Sequence, residues 1–358
     1  MIKLAFFNSS VSWGGGEKWH MESALHFAAL PNYDVFVFGA PDSELKKRLA
    51  HYPQITYIDF AVSNRSFLNP IKVNRLKSIF NTLSFDILII NGSADFKIAA
   101  YAGHLSGTKR IIYRRGSAIP IKNSAVNRYL FKNCISDVLA NSLETKRTIN
   151  MRFAAMFPLE KIKVIYNPID TTPFQDKCVG KTKNDHLVIG NLARLAPQKN
   201  QAFLIDLSRA LSHRKIRHKI LVGGTGPLAH ELEKYNKQMK TEHDVSFLGF
   251  ISDLDGFFNQ IDVFMLSSKW EGFGYVLAEA ALYRKPSIAF DVSSNKELIE
   301  HDHTGYLVPY GDINQTIDSI LSLSEQEKRD EFGNAGYQLV LKRFDQKVIY
   351  KQLEEFLK

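Results

Sequence analysis

Ser267-Ser268-Lys269-Trp270-Glu271-Gly272-Phe273-Gly274-Tyr275-Val276-Leu277-Ala278-Glu279-Ala280 is the stretch from which the fold can be worked out. It follows the apolar run Val263-Phe264-Met265-Leu266, so the order is a buried strand, a glycine-containing turn and a helix start. A helix that begins behind two glycines leaves its first backbone N–H groups without partners and open to close approach. That geometry suits a phosphate or a sugar oxygen. Two carboxylates flank the turn, Glu271 before the helix and Glu279 about two turns into it. The segment can hold an anion and grip hydroxyls together.

The same alternation runs outward in both directions. In the first half the candidate strands are Lys3–Phe7, Asp34–Phe38, Thr56–Asp59, Ile87–Ile90, Arg110–Tyr113 and Asp137–Ala140. In the second half they are Leu187–Asn191, Lys219–Val222, Val245–Leu248, Val263–Leu266, Pro286–Phe290 and Gly305–Val308. Helical-length segments separate them; Glu17–Ala29 is one, with Trp19, Ala24, Phe27 and Ala28 near one face and Pro31 as its stop. The prediction is an α/β chain of two doubly wound, Rossmann-like parallel-sheet domains facing a central cleft. The boundary falls after Tyr166-Asn167-Pro168-Ile169-Asp170, giving domains of residues 1–170 and 171–340. The polar, aperiodic stretch Asp176–Asp185 reads as a linker.

Of 358 residues, 45% are hydrophobic and 23% charged, the balance of a globular protein. No apolar run approaches the roughly 18 residues that span a bilayer. The N-terminus has no signal-peptide pattern, and Cys134 and Cys178 lack metal-ligand or redox spacing, so a cytoplasmic location is expected. The net charge of +9 is uneven: residues 1–168 carry 22 Lys+Arg against 11 Asp+Glu. A basic first half implies an acidic partner there or a solvated basic surface. Without a recognisable nucleic-acid module, nucleic acid is not expected.

Further segments carry candidate chemistry. Trp13-Gly14-Gly15-Gly16 lies between the first strand and helix; the glycines permit positive φ and close approach, and the alternative is a plain tight turn. Arg194 and Lys199 follow the first strand of the second half and can reach one diphosphate, the first as a fork and the second as a point charge. Gly223-Gly224-Thr225-Gly226 reads as a nucleotide-pocket loop or an ordinary turn, and Phe250 as an apolar wall for a base or as core. Asp253-Leu254-Asp255 has metal-motif spacing, but Phe257, Phe258 and Ile261 behind it favour a helix start, where acids complement the helix dipole. His301 and His303 lack a third ligand, and no metal site is expected.

Taken in order, these segments resemble the family 4 glycosyltransferases, retaining enzymes of the two-domain GT-B fold. The resemblance rests on Glu271 and Glu279 in their setting, on Lys285-Pro286, Asn295-Lys296-Glu297, Ile299 and Gly305-Tyr306-Leu307-Val308, and on Arg194 with Lys199. It implies that Glu271 and the amides of Gly272, Phe273, Gly274, Tyr275 and Val276 hold the donor sugar, and that Glu279 takes the ribose hydroxyls. Arg194, Lys199, Gly14 and Gly15 would bind the diphosphate, with Gly224 and Phe250 in the nucleotide pocket. Residues 341–358 would form a last helix crossing back to the first domain. The family often has a histidine or an acid after the central strand of that domain. Here Tyr113-Arg114-Arg115-Gly116 stands in its place, so Arg114 and Arg115, with Trp13, fall on the acceptor side or join the basic surface.

The activity so implied is retaining transfer of a hexosyl unit from a UDP- or GDP-type nucleotide sugar, with no cofactor and no obligatory divalent metal. The acceptor would be a glycan or lipid-linked hydroxyl in lipopolysaccharide or surface-polysaccharide synthesis, met at the inner face of the cell membrane. Peripheral contact of the basic domain with anionic lipid would go with it. A soluble synthase of a small glycoside or disaccharide would share every donor residue. A non-catalytic nucleotide- or glycan-binding module would have little use for both glutamates and both cations.

Overall fold

A computed structural model describes residues 1–174 and 186–358. The segment read as a linker, and Cys178 within it, lie outside the described residues. The described chain divides into two compact units, Met1–Pro168 with Ile349–Lys358, and Ile169–Val348.

In the first unit the described strands are β1 (Ile2–Phe7), β2 (Tyr33–Gly39), β3 (Ile55–Asp59), β4 (Ile87–Ile90), β5 (Arg110–Arg115), β6 (Asp137–Ala140) and β7 (Ile162–Val164). They form a parallel sheet in the order β3-β2-β1-β4-β5-β6-β7. The central strand β4 is apolar and buried along its whole length because both faces of the sheet are covered. Leu4 and Phe6 belong to the core under one face, and Ala5 and Phe7 to the core under the other. β7 was not foreseen. Three residues with Lys163 in the middle make no recognisable run, and pairing with β6 creates the strand.

The second unit adds β8 (Leu187–Leu192), β9 (His218–Gly223), β10 (Val245–Gly249), β11 (Val263–Leu266), β12 (Ser287–Phe290) and β13 (Gly305–Val308). They are parallel in the order β10-β9-β8-β11-β12-β13. Each sheet therefore reverses its winding once, between β1 and β4 and between β8 and β11. Loops leaving the two strands at such a point diverge to opposite faces and open a crevice at the strand C-termini, where ligands of open α/β sheets bind.

The last helix, Gln346–Leu357, starts in the second unit, where the Gln346 N–H donates to Ile169 O at 2.9 Å. Ile349, Tyr350, Leu353 and Leu357 then join the first unit's core, and Tyr350 stacks on His26 with ring centroids 4.0 Å apart. Glu354 meets the same imidazole at 2.8 Å. Leu353→Ala removes a side chain that is 1% exposed and is expected to cost about 2–5 kcal/mol in urea unfolding. The exposed Glu355→Ala on the same helix should stay within about 0.5 kcal/mol, and equal effects would show that the burial contributes little.

Candidate active site

At the reversal point of the second sheet, the loops after β8 and β11 are bound into one body. Lys199 Nζ donates to Glu271 Oε1 at 2.5 Å, with side-chain exposures of 20% and 8%. Around that pair, Ser267 Oγ donates to Lys199 O at 2.9 Å, Lys269 N–H to Gln198 O at 2.8 Å, and Gln198 Nε2 to Trp270 O at 2.8 Å. Below them Asn191 Nδ2 donates to Met265 O at 2.8 Å. A carboxylate so nearly buried needs a countercharge, and Lys199 supplies it. Behind Glu271, Ser294 Oγ lies within hydrogen-bonding reach of both Glu271 O and Phe273 O at 3.2 Å, which fixes the turn.

The turn ends at Gly274, whose φ of +89° is where a residue without Cβ is favoured. Tyr275–Leu282 follows as a helix with no side-chain cap, so its first amides, including those of Tyr275 and Val276, are not capped from that position. Glu279 is the fifth residue of this helix, one turn in rather than the two expected, because the helix begins only at Tyr275. Phe273 is buried and meets Phe344 edge-on at 5.4 Å, while Gly272 is half-buried. Ser268 Oγ and Asn295 Oδ1, both in fully buried residues, have no hydrogen-bond partner among the described residues.

A third loop completes this edge. The Ala193 N–H donates to Gly223 O at 3.0 Å and the Leu195 N–H to Thr225 O at 2.9 Å, so Gly223–Gly226 runs beside the Arg194 loop. Gly224 has φ +130°, and a Cβ there would stand 1.9 Å from Ala193 O; the contact of the two loops requires glycine. Arg194 is exposed, and its guanidinium makes no hydrogen bond or ion pair among the described residues. Phe250 is 77% exposed, which overturns the core alternative for it. Asp253 caps the helix Leu254–Gln260 by accepting from Gly256 N–H at 2.9 Å, and Asp255 accepts from Tyr283 Oη. Both acids of that motif therefore have structural bonds.

At the reversal point of the first sheet the helix is Gly15–Ala28, two residues earlier than expected. Gly14 is its N-cap in extended backbone, and none of the three glycines has positive φ. Close approach is what Gly16 provides, since a Cβ there would lie 2.7 Å from Asn91 Nδ2. Trp13 carries the Arg48 guanidinium over its ring at 4.1 Å. Arg114 is 2% exposed, so the basic-surface alternative fails for it. It donates to Asn91 Oδ1 at 3.2 Å and Asn167 Oδ1 at 2.9 Å, and its guanidinium lies 4.4 Å from the Trp19 ring. Arg115 is half-buried and donates to Ile119 O and to Tyr113 Oη at 3.4 Å.

Buried ionisable groups under this edge were missed by sequence reasoning. Asp95, 4% exposed, accepts from Ser9 N–H at 3.0 Å and from Ser9 Oγ; Glu17 accepts from Asn8 Nδ2 at 3.1 Å. His20 is fully buried with Nδ1 3.1 Å from Gly16 O. A usable signal was an asparagine directly after an apolar strand, as in Phe6-Phe7-Asn8 and Ile89-Ile90-Asn91.

Residues 13–173 match the family described as Glycosyltransferase Family 4, and residues 175–339 match Glycosyl transferases group 1. The chain is 24% identical over 331 residues to the UDP-Gal:alpha-D-GlcNAc-diphosphoundecaprenol alpha-1,3-galactosyltransferase of Escherichia coli, covering 85% of this chain and 84% of that one. It is 33% identical over 145 residues to the Bacillus subtilis (strain 168) protein EpsF, and there it spans only 38% of the relative's length and 38% of its own. The crystal structure of Anabaena Alr3699/HepE in complex with UDP and glucose superposes with a TM-score of 0.82 at 23% identity, covering 100% of this chain and 99% of that one. That likeness establishes the fold.

Asp95 and His20 give the first unit opposed acid responses. Burial, against the Ser9 hydrogen bonds and aided by Glu17, pushes the Asp95 carboxyl up to about 6. Burial and then the neighbouring Arg114 charge bring His20 down to about 3, against its bond to Gly16 O. Asp95 therefore contributes stability below its unfolded value of about 4 that is lost as pH rises to about 6. His20 contributes stability above about 6.5 that is lost as pH falls towards 3. Each slope approaches about 1.4 kcal/mol per pH unit, with opposite sign, so they offset between about pH 4 and 6. Relative to wild type, Asp95→Asn should make urea stability rise more steeply with pH in that window, and His20→Gln should make it fall. Parallel profiles would contradict the assignment.

Proposed function

We propose, for a chain that belongs to the family 4 glycosyltransferases of GT-B fold, retaining transfer of a hexosyl unit from a UDP- or GDP-type sugar to a hydroxyl of a glycan or lipid-linked acceptor. The acceptor oxygen bonds to the anomeric carbon as the bond from that carbon to the diphosphate breaks. The electron pair leaves with the diphosphate oxygen, which also receives the acceptor proton. Charge therefore grows on the diphosphate, and fixed donors aimed at it lower the barrier.

The observation that carries this reading is the Lys199–Glu271 pair beside an uncapped helix start at the reversal point of the second sheet. In the proposed roles, Lys199, Arg194 and the helix amides face the diphosphate. Glu271 and the Gly272–Val276 backbone hold the sugar hydroxyls, and Glu279 takes the ribose. Gly224 and Phe250 border the base. We assign no obligatory divalent metal, in keeping with the structural bonds that already occupy Asp253 and Asp255. A lipid-linked acceptor in surface-polysaccharide synthesis is supported by the E. coli relative, whose name specifies a diphosphoundecaprenol-linked sugar.

No helix among the described residues is long and apolar enough to cross a membrane. With the excess of Lys+Arg in residues 1–168, peripheral contact with anionic lipid at the inner face of the membrane is the location we propose. Sedimentation with phosphatidylglycerol vesicles should weaken steeply as salt rises, and salt-insensitive binding would remove the electrostatic account.

Nucleoside diphosphate release in the presence of acceptor tests the chemistry. Glu271→Ala should lose on the order of 10²–10³ in kcat while unfolding cooperatively, and Arg194→Ala should lower kcat/KM for the donor. Near-wild-type turnover by the first variant, or an unchanged kcat/KM in the second, would remove that residue from the site.

A further inference from the structure

A cavity of about 450 Å³ opens in the first unit beyond the ends of β4 and β5. Lys97, Arg115 and Lys122 line it, and no carboxylate does. Lys97 and Lys122 form no ion pair among the described residues, whereas Lys46, Lys47 and Lys109 of the same unit sit 2.6–2.7 Å from carboxylates. The acid nearest along the chain, Asp95, is engaged by Ser9. Three cations thus converge on one concave site that no acid lines.

The cavity is also organised. Arg115 is held to Ile119 O and Tyr113 Oη, so the guanidinium fork is set before any ligand arrives. Lys97 Nζ is 5.3 Å from the Phe67 ring centroid. Ser93 opens the 13-residue helix Ser93–Leu105, whose cap Gly92 supplies no side-chain bond, so the positive end of that helix adds to the field. Beneath the cations, Phe96 and Tyr113 stack at 4.0 Å and form an apolar wall. Asn127 adds an amide. The volume lies in the range of small-ligand sites and accommodates a sugar ring with one or two phosphates.

We propose that this cavity is the acceptor subsite and that it recognises a phosphate-bearing acceptor. The phosphate oxygens sit among Lys97, Arg115 and Lys122, and the attached group lies against the Phe96–Tyr113 wall. The inference rests on the glycosyl-transfer reading and specifies its acceptor as an anion. The phosphate can belong to an isoprenyl diphosphate headgroup or to a water-soluble sugar phosphate.

Calorimetry on the full chain tests it. With UDP and GDP saturating the donor side, inorganic pyrophosphate should still bind wild-type protein. Lys97→Gln combined with Lys122→Gln should weaken that binding by about tenfold or more and leave nucleotide affinity unchanged. Competition by geranyl diphosphate or by glucose 1-phosphate supports the site, and the tighter competitor identifies the source of the phosphate. No pyrophosphate binding beside saturating nucleotide, or an unchanged affinity in the double variant, would overturn the proposal. Failure of wild-type protein to bind either nucleotide would count against the glycosyl-transfer reading instead, and comparing pyrophosphate binding by wild type and double variant would still decide the cavity.

Discussion

The Lys199–Glu271 ion pair is the constraint on which the second unit's site depends. Two loops leave neighbouring strands towards opposite faces, and nothing in the topology alone keeps them together. Burying Glu271 at 8% side-chain exposure is tolerable only with a cation against it, and Lys199 comes from the other loop. The neighbouring bonds from Ser267, Lys269 and Gln198 are then shared between the loops rather than confined to one. In the proposed reaction the pair would be chemical as well as structural: an arriving diphosphate would compete with Glu271 for the Lys199 charge, and sugar hydroxyls would supply Glu271 with replacement hydrogen bonds.

Glycine serves this arrangement in two physically different ways. Gly274 and Gly224 adopt positive φ, and the second also lets one loop's backbone touch another's carbonyl. Gly14 and Gly16 do neither in terms of φ; the former is extended, and the latter makes room for Asn91. Asn91 in turn accepts from Arg114, which is sandwiched between polar acceptors and the Trp19 ring. A run of glycines in the sequence thus records the close packing of a buried arginine network.

The strands of both sheets and the turn carrying Glu271 were legible because each is a local pattern. Continuous apolar runs mark strands buried on both faces, and glycines before an apolar helix mark the turn. What was not legible depends on partners distant in sequence. β7 exists through β6, and Gly15 and Gly16 join the first helix despite low helix propensity because Asn91 and His20 close over that turn. For Arg114 the sequence left the acceptor side and the basic surface both open, because the cover that buries it, Asn91, Asn167 and Trp19, comes from three separate segments. For Phe250 the sequence left a wall for the base and core packing both open, and only the structure, with the positive φ of Gly249 before a side chain left 77% exposed, removes the core alternative.

The uneven charge of the chain takes on a sharper meaning from these contacts. An excess of basic residues can arise from solvated lysines alone, and such charges carry little specificity. In the first unit, however, Lys46, Lys47, Lys109 and Arg110 are each paired with a carboxylate, so their charge is largely cancelled locally. Arg114 is buried among amide oxygens and an aromatic ring. Lys97, Arg115 and Lys122 are gathered in one concave site, over an aromatic wall and beside a helix N-terminus, while cations such as Arg65, Arg75, Lys132 and Arg152 lie exposed. A neutral glycan would gain little from three such charges, whereas a phosphate would use all of them. The excess charge therefore has two parts, an exposed face that suits the proposed contact with anionic lipid and a concave cluster that suits the proposed phosphate-bearing acceptor.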